Sequence, residues 1–459
     1  MRAFVESTRS WVTRNVLLPA GDLVWKQGLI RRLSFLEEAQ WWSRERVLEY
    51  RNGRLRELLA IAYNQVPFYR SLLDQYGIDV RDINSAEHLR RLPIVTKAML
   101  TPQYPKGTTR NTGQKTYETS SSGSTGKNFR IREDSETAGH YRAAFMLALG
   151  WAGWQIGESH MQTGIMPQRS RDRRLKDYLL RCHYVSAYRF DDQQVDAALD
   201  ALEYKHIRHL WGYPGSLYHL AKRASQRGWN RSMKTLVTWG DNLYPHYRSV
   251  IENVFGNRIF DTYGCGEGFQ IAAQCGSGSH YHLQSLDVIA EFLGDDGNPV
   301  PEGELGNIVI TRLHPGPMPL IRYRVGDMGI PAGQKLCPCG RGFEMMKSVQ
   351  GRDTDIVVTP AGNRLVVHFF TGLIERFEEV DCFQVVQNEI SSMIVRLVPA
   401  RTGAINSRVE EMIRATLREY GADLEISIEI VSEIPLAVSG KRRFVINNIS
   451  PQPDPVLQP

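Results

Sequence analysis

The sequence predicts an α/β protein. It has a large multi-subdomain N-terminal domain, layered α/β plus a small β subdomain, followed by a small mobile α+β C-terminal domain. Three observations predict this. Helical patterns alternate with short apolar runs through the middle of the chain, as when helices cover the strands of a sheet. From about residue 285 the texture changes to strands split by Gly, Pro and Asp turns. After "GRDTD" (351–355) a strand-rich stretch, one helix and a further strand follow. At 459 residues the chain is too long for one ordinary core. The expected division is 1–352, 353–448 and a flexible tail, 449–459, that ends in "SPQPDPVLQP".

Taken in order, the first hundred residues read as helices, because "FLEEAQWWSRERVLEYRNGRLRELLAIAYNQVPFY" carries apolar residues at three and four spacing with charges between. The amphipathic N-terminus with Trp11 and Trp25 is expected to dock on the protein's own surface rather than on a membrane. "RRLPIVTKAML" then turns into "SSSGSTGKNF" (120–129), whose glycines let backbone N–H groups approach an anion and whose hydroxyls and Lys127 add donors and charge. This is not the nucleotide P-loop, which needs Ser or Thr after the lysine where this chain has Asn128. "HIRHLWGY", "MKTLVTWG" and "NRIFDTYG" read as strands, and ligands of such sheets sit just past strand ends. The basic run "RSRDRRLKDYLLR" (169–181) is either a solvated helix face or a landing site for an anionic cosubstrate or lipid headgroup.

Bulk properties narrow the function classes. The net charge of +6 suits anionic small molecules and is too modest to imply nucleic acid. No long uncharged apolar run and no signal-peptide pattern is seen, so no transmembrane segment and a cytoplasmic location are expected. Six cysteines in a chain this long do not form a secreted disulfide framework. Cys182, Cys265 and Cys382 are expected as small apolar residues. Cys275, His280 or His282, Cys337 and Cys339 supply three thiols and an imidazole, the ligand set of a closed structural zinc site.

Several short motifs then fall in a specific order: "SSGSTGK", "WGD" (239–241), "DTYGCGEG" (261–268), "RYRVGD" (322–327), "GRDTD" and "IPLAVSGKRRF" (434–444). As a set they resemble the adenylate-forming superfamily of acyl-CoA synthetases. "RRLPIVTK", "CPCGR" and "SGKRRFVIN" are most similar to the phenylacetate-CoA ligase group, and within it to the capsular-polysaccharide-associated branch.

The resemblance implies the following roles. Ser122, Gly123, Ser124, Thr125, Gly126 and Lys127 cradle the β- and γ-phosphates of ATP. Tyr263 stacks on adenine, with Gly240, Asp241, Asp261 and Gly264 around the nucleotide. Asp327 accepts from the ribose hydroxyls, and Glu267 holds Mg²⁺, a hard cation that wants oxygen ligands. Lys441 reaches the α-phosphate and the attacking carboxylate. Arg352 belongs to the hinge element, whose pivot two residues on is Thr354 where the family typically has a charged residue; that departure bears on the second half-reaction. His282, nine residues before Glu291, matches the family spacing better than His280 as the zinc ligand.

The implied reaction activates a small carboxylic acid with ATP, releases pyrophosphate and passes the acyl group to coenzyme A. The alternatives are an amine or hydroxyl acceptor, on a sugar or carrier protein, and a non-catalytic relative of the fold. The oligomeric state stays open, with a homodimer as one candidate.

Overall fold

The computed structural model describes residues 8–121, 129–164, 169–186, 192–352, 356–362, 364–374, 377, 379–400, 405–419, 422–435 and 443–449. The chain divides into two compact units: residues 1–243 with 250–349, and residues 244–249 with 350–459.

In the first unit the N-terminal third is helical. The helix Arg44–Gln65 opens on Ser43, whose side chain accepts from the Arg46 amide. It stops at Val66, and Pro67 begins a new helix, Pro67–Gln75, because proline at the first helical position gives up an amide with no intrahelical partner in any case. "VPFY" is therefore a junction between two helices. Leu55, Leu58, Leu59 and Ala62 form one buried face of the long helix and pack in the same core as Leu283, Ile289, Ile308 and Ile310 of the sheet.

That sheet has eleven strands, in the order Val288–Leu293, Gly306–Arg312, Tyr323–Pro331, Met345–Arg352, Tyr281–Leu283, Phe269–Gln274, Ile259–Cys265, Thr235–Thr238, His209–Gly212, His160–Gly164 and Cys182–Ser186. The five strands from Cys182–Ser186 to Ile259–Cys265 run parallel. Two of them, "HLWG" and "TLVT", are buried at every position, as strands covered on both faces must be. Ile259–Cys265 pairs parallel to Thr235–Thr238 on one side and antiparallel to Phe269–Gln274 on the other. The β-rich stretch after residue 285 is thus joined to the parallel layer as the antiparallel half of one sheet.

The second unit has a four-stranded sheet, ordered Glu425–Ile430, Ser392–Pro399, Val380–Glu389 and Val445–Asn447, with the helices Val367–Ile374 and Ser407–Glu419. Val409, Ile413 and Leu417, one turn apart, bury the inner face of the latter helix among Phe370, Phe383, Val385, Val395 and Leu397. Among the described residues, no helix is long and apolar enough to cross a membrane.

Candidate active site

Ile259–Cys265 and Phe269–Gln274 form a hairpin whose turn carries Gly266, Glu267 and Gly268. The pairing slips between Tyr263 and Gly264, a bulge that re-aims the side chains at its tip. Gly264 is required there, because a Cβ would stand 2.5 Å from the Phe269 carbonyl oxygen.

Three predicted residues lie on this hairpin strand, and a fourth faces it. The Tyr263 hydroxyl donates to Asp327 Oδ2 at 2.8 Å, and burial followed by the Asp327 charge raises the phenol far above its ordinary value, so it remains a donor. Asp261 is held from two sides: Thr238 donates to Oδ1 and Tyr281 to Oδ2, each at 2.6 Å. Its backbone amide donates to Gln274 Oε1 at 3.0 Å. Asp261 therefore fixes the strand from behind, and Tyr263, two residues on, stands on the same face.

Glu267 is only 2 % exposed. Burial alone would raise its carboxyl, but Lys97, the Tyr323 hydroxyl and the Cys265 thiol outweigh it and hold the group below 4.5, as an ionised carboxylate. Lys97 Nζ and the Tyr323 hydroxyl both reach Oε1, at 3.2 and 2.9 Å. Lys97 comes from "RRLPIVTK", which is stitched to the strand of Asp327: the Val95 amide donates to the Arg322 carbonyl, and the Arg324 amide to the Val95 carbonyl. Arg322, with φ +50°, turns its side chain to Glu291 at 3.1 Å and donates to the Leu92 carbonyl.

Beside the hairpin the sheet ends carry aromatic rings. Gly212 lies so close to Thr163 that a Cβ would overlap its hydroxyl, and Thr163 Oγ1 in turn stands 2.6 Å from Ser216 Oγ. These contacts seat "WGYPGS" against "QTG" at 162–164. Gly240, at φ +74°, leaves 2.8 Å between a would-be Cβ and the Tyr213 ring, while Asp241 beside it is exposed. The helix Ser135–Trp151 adds Tyr141 and Phe145, stacked at 6.5 Å, with Phe145 edge-on to Trp239 at 5.5 Å.

Cys275, His282, Cys337 and Cys339 converge, with one ligand atom from each lying within 4.8 Å of all the others. Cys275 follows the hairpin and His282 sits in the next strand, opposite Ala273 and Met345. Cys337 and Cys339 flank Pro338 in a turn that Gly340, at φ +84°, closes by donating to the Cys337 carbonyl. The two sulfurs of Cys275 and Cys337 are 3.7 Å apart, and Cys339 Sγ is 3.3 Å from His282 Nε2. A tetrahedral ion with Zn–S bonds of about 2.3 Å sets its sulfurs about 3.8 Å apart, so the quartet has the spacing and donor set of a closed zinc site.

The CapK C-terminal domain model matches residues 357–448. A phenylacetate-coenzyme A ligase of Thermus thermophilus is 25 % identical over 370 residues, 77 % of this chain and 81 % of that one. Protein CapK of Staphylococcus aureus is 22 % identical over 412 residues, 88 % of this chain and 90 % of that one. Among solved structures, a 2-hydroxyisobutyryl-CoA ligase in its postadenylation state superposes with a TM-score of 0.69 at 16 % identity, covering 86 % of this chain and 88 % of that one. The chain is a homologue of the phenylacetate-CoA ligases and of CapK. Its fold is that of the adenylate-forming enzymes.

The expected phosphate cradle, Ser122, Gly123, Ser124, Thr125, Gly126 and Lys127, lies outside the described residues, as do Lys441 and Thr354. Arg352 is described only as the last residue of its strand. Tyr263, Gly264, Asp327 and Glu267 are brought together around one hairpin, and Gly240 and Asp241 flank it one strand away. Sequence reasoning missed Lys97 and Tyr323 as the partners of Glu267, and Tyr141 and Phe145 as part of the aromatic wall. "RRLPIVTK" was the only signal for Lys97 and "RYRVGD" for Tyr323, and neither carried a role for that residue; Tyr141 and Phe145 had none.

Proposed function

We propose that this protein activates a small carboxylic acid with ATP, forming an acyl adenylate and pyrophosphate, and passes the acyl group to coenzyme A. The observation that carries this reading is the hairpin site, where an ionised, almost fully buried carboxylate at Glu267 stands beside the Tyr263–Asp327 pair. Lys97 and Tyr323 offset the cost of keeping that buried carboxylate charged, and an ionised carboxylate is the oxygen ligand a hard cation takes. Homology to phenylacetate-CoA ligases supports the same chemistry.

In this reading Tyr263 faces the adenine and Asp327 takes the ribose hydroxyls, while Ser122–Lys127 grip the phosphates that leave. Glu267 fits Mg²⁺, which is held by one or two carboxylates together with substrate phosphates, and the ion would neutralise phosphate charge. Lys97 and Tyr323 keep that carboxylate ionised and oriented. Lys441, carried by residues 353–448 acting as a lid, places its charge between the α-phosphate and the attacking carboxylate. Thr354 as an uncharged pivot bears on the lid's move to the thioester-forming state. The thiol–imidazole quartet would hold a structural zinc and so tie the hairpin to the loop before Met345, its three thiols and one imidazole being the donor set of a closed site. The reaction is placed in the cytoplasm.

A second reading keeps adenylation but hands the acyl group to an amine or hydroxyl on a sugar or carrier protein. It rests on the sequence resemblance to the capsular-polysaccharide-associated branch, with which the match of residues 357–448 to the CapK C-terminal domain agrees. Incubation with ATP, Mg²⁺, an acid panel and CoA, read by mass spectrometry, separates the two. Acyl-CoA supports the first reading; acyl-AMP that accumulates unchanged when CoA is added supports the second; neither product overturns both.

A further inference from the structure

The N-terminal segment docks on the body through Thr13 and Leu18, but leaves several of its apolar residues outward. Thr13 is buried, and Ser10 lies so close to Gly157 that a Cβ there would stand 2.5 Å from the Ser10 Cα. The helix that follows, Leu18–Trp25, buries none of its residues, although five of its eight are Leu, Val, Trp, Ala or Pro besides a second Leu. Leu23 is 79 % and Val24 74 % exposed, with Trp11 and Val16 also in the open. A docking helix ordinarily turns such residues inward, since burial of apolar area is what holds it in place.

The basic run singled out in the sequence lies against this helix. Arg171–Leu179 is a helix, and Lys176 Nζ sits 4.1 Å from the Trp25 ring centre. Leu175 and Tyr178, three apart and therefore on one face, are exposed, Tyr178 at 80 %. Arg171 and Arg174, each four residues from one of them, are exposed as well. Of the interleaved acids, Asp177 is bound by Arg169 at 3.0 Å and Asp22 accepts from the amides of Leu29 and Ile30, while Asp172 is exposed among Arg171, Arg173 and Arg174, which outnumber it. What remains is an outward apolar and aromatic surface bordered by arginine and lysine. That is the composition of a helix lying in a membrane interface, with apolar side chains among the acyl chains and cations at the phosphates.

We propose that the helices Leu18–Trp25 and Arg171–Leu179 together form a face that docks on an anionic lipid bilayer. The charge selects the occupant over a neutral bilayer, and the exposed Leu, Val and Trp select a bilayer over a soluble polyanion, which offers nothing for them to bury in.

The full chain is mixed with vesicles of about three parts phosphatidylcholine to one part phosphatidylglycerol, and with phosphatidylcholine alone, and bound protein is read by flotation. Binding to the anionic vesicles only, weakened by salt, is expected. Arg171→Glu with Arg174→Glu, and separately Leu23→Ser with Val24→Ser, should each lower it by about tenfold or more, with thermal unfolding unchanged because all four side chains are exposed. No binding to anionic vesicles at low salt overturns the proposal. So does binding that the Leu23/Val24 variant leaves intact, which would mark a merely electrostatic surface for polyanions.

Discussion

Asp327→Asn tests the proposed nucleotide site most finely. The change keeps size and shape but removes the charge and converts one acceptor position into a donor. Oδ2 already takes the Tyr263 hydroxyl at 2.8 Å, so the new amide must present its nitrogen either to that hydroxyl or to the ribose proposed to bind there. In either orientation at least one hydrogen bond to a charged acceptor is lost, worth about 1.5–3 kcal/mol. The KM for ATP should therefore rise about 10- to 150-fold. Stability should change little, since Asp327 is only partly buried. Pyrophosphate exchange gives the KM, and repeating it with 2′-deoxy-ATP closes a cycle. The unmodified protein should lose affinity for the deoxy nucleotide, and the variant should lose little more, because the partner of the missing hydroxyl is already gone. A KM within about twofold of the original, or an equal deoxy penalty in both proteins, would refute the placement of ribose on Asp327.

Other predictions follow from the same geometry. Tyr323→Phe removes a donor from the buried Glu267 carboxylate and should cost about 1.5–3 kcal/mol, read by denaturant unfolding of the first unit, with a matching fall in exchange rate. Protein purified without added metal should carry close to one zinc per chain by elemental analysis, and Cys337→Ser should lose it and unfold at lower temperature; a stable, zinc-free original would dismiss the metal. Arg322→Met leaves Glu291 as a buried charge and should destabilise by about 3–5 kcal/mol, while adding Glu291→Leu should recover part of that. The Glu291 carboxyl is raised above 4.5, by burial first and against the pull of Arg322. A raised carboxyl favours the folded state below its unfolded value, so stability should fall as pH rises through the folded one. Glu291→Gln should flatten that part of the pH–stability curve.

Much of this was legible in the chain for reasons that can be named. The strands "HLWG" and "TLVT" announced themselves as short runs with an apolar centre and a glycine at or just past the end, and they are buried along their whole length. Tyr263, Glu267 and Asp327, which the fold brings around one hairpin, were singled out through ordered short motifs, and the converging thiol–imidazole quartet through thiol chemistry and one family spacing. What stayed hidden depends on register between distant segments. Lys97 reaches Glu267 only because Val95 bridges to Tyr323 in the strand of Asp327, a pairing across more than two hundred residues that no local periodicity encodes. Tyr141 and Phe145 read as ordinary positions of an amphipathic helix until the sheet ends are placed beside them. The outward-facing Leu23 and Val24 run against the rule that apolar residues of a docking helix turn inward.

The most direct measurement is acid-dependent ATP–pyrophosphate exchange across a panel of aryl, hydroxy and amino acids. Exchange is expected with at least one acid, to require Mg²⁺, and to be lost in both Glu267→Gln and Lys441→Ala while each variant stays folded. Exchange no higher than the acid-free background with every acid would contradict an adenylating enzyme and leave a binding relative of the fold, while exchange undiminished in Lys441→Ala would contradict the role given to Lys441.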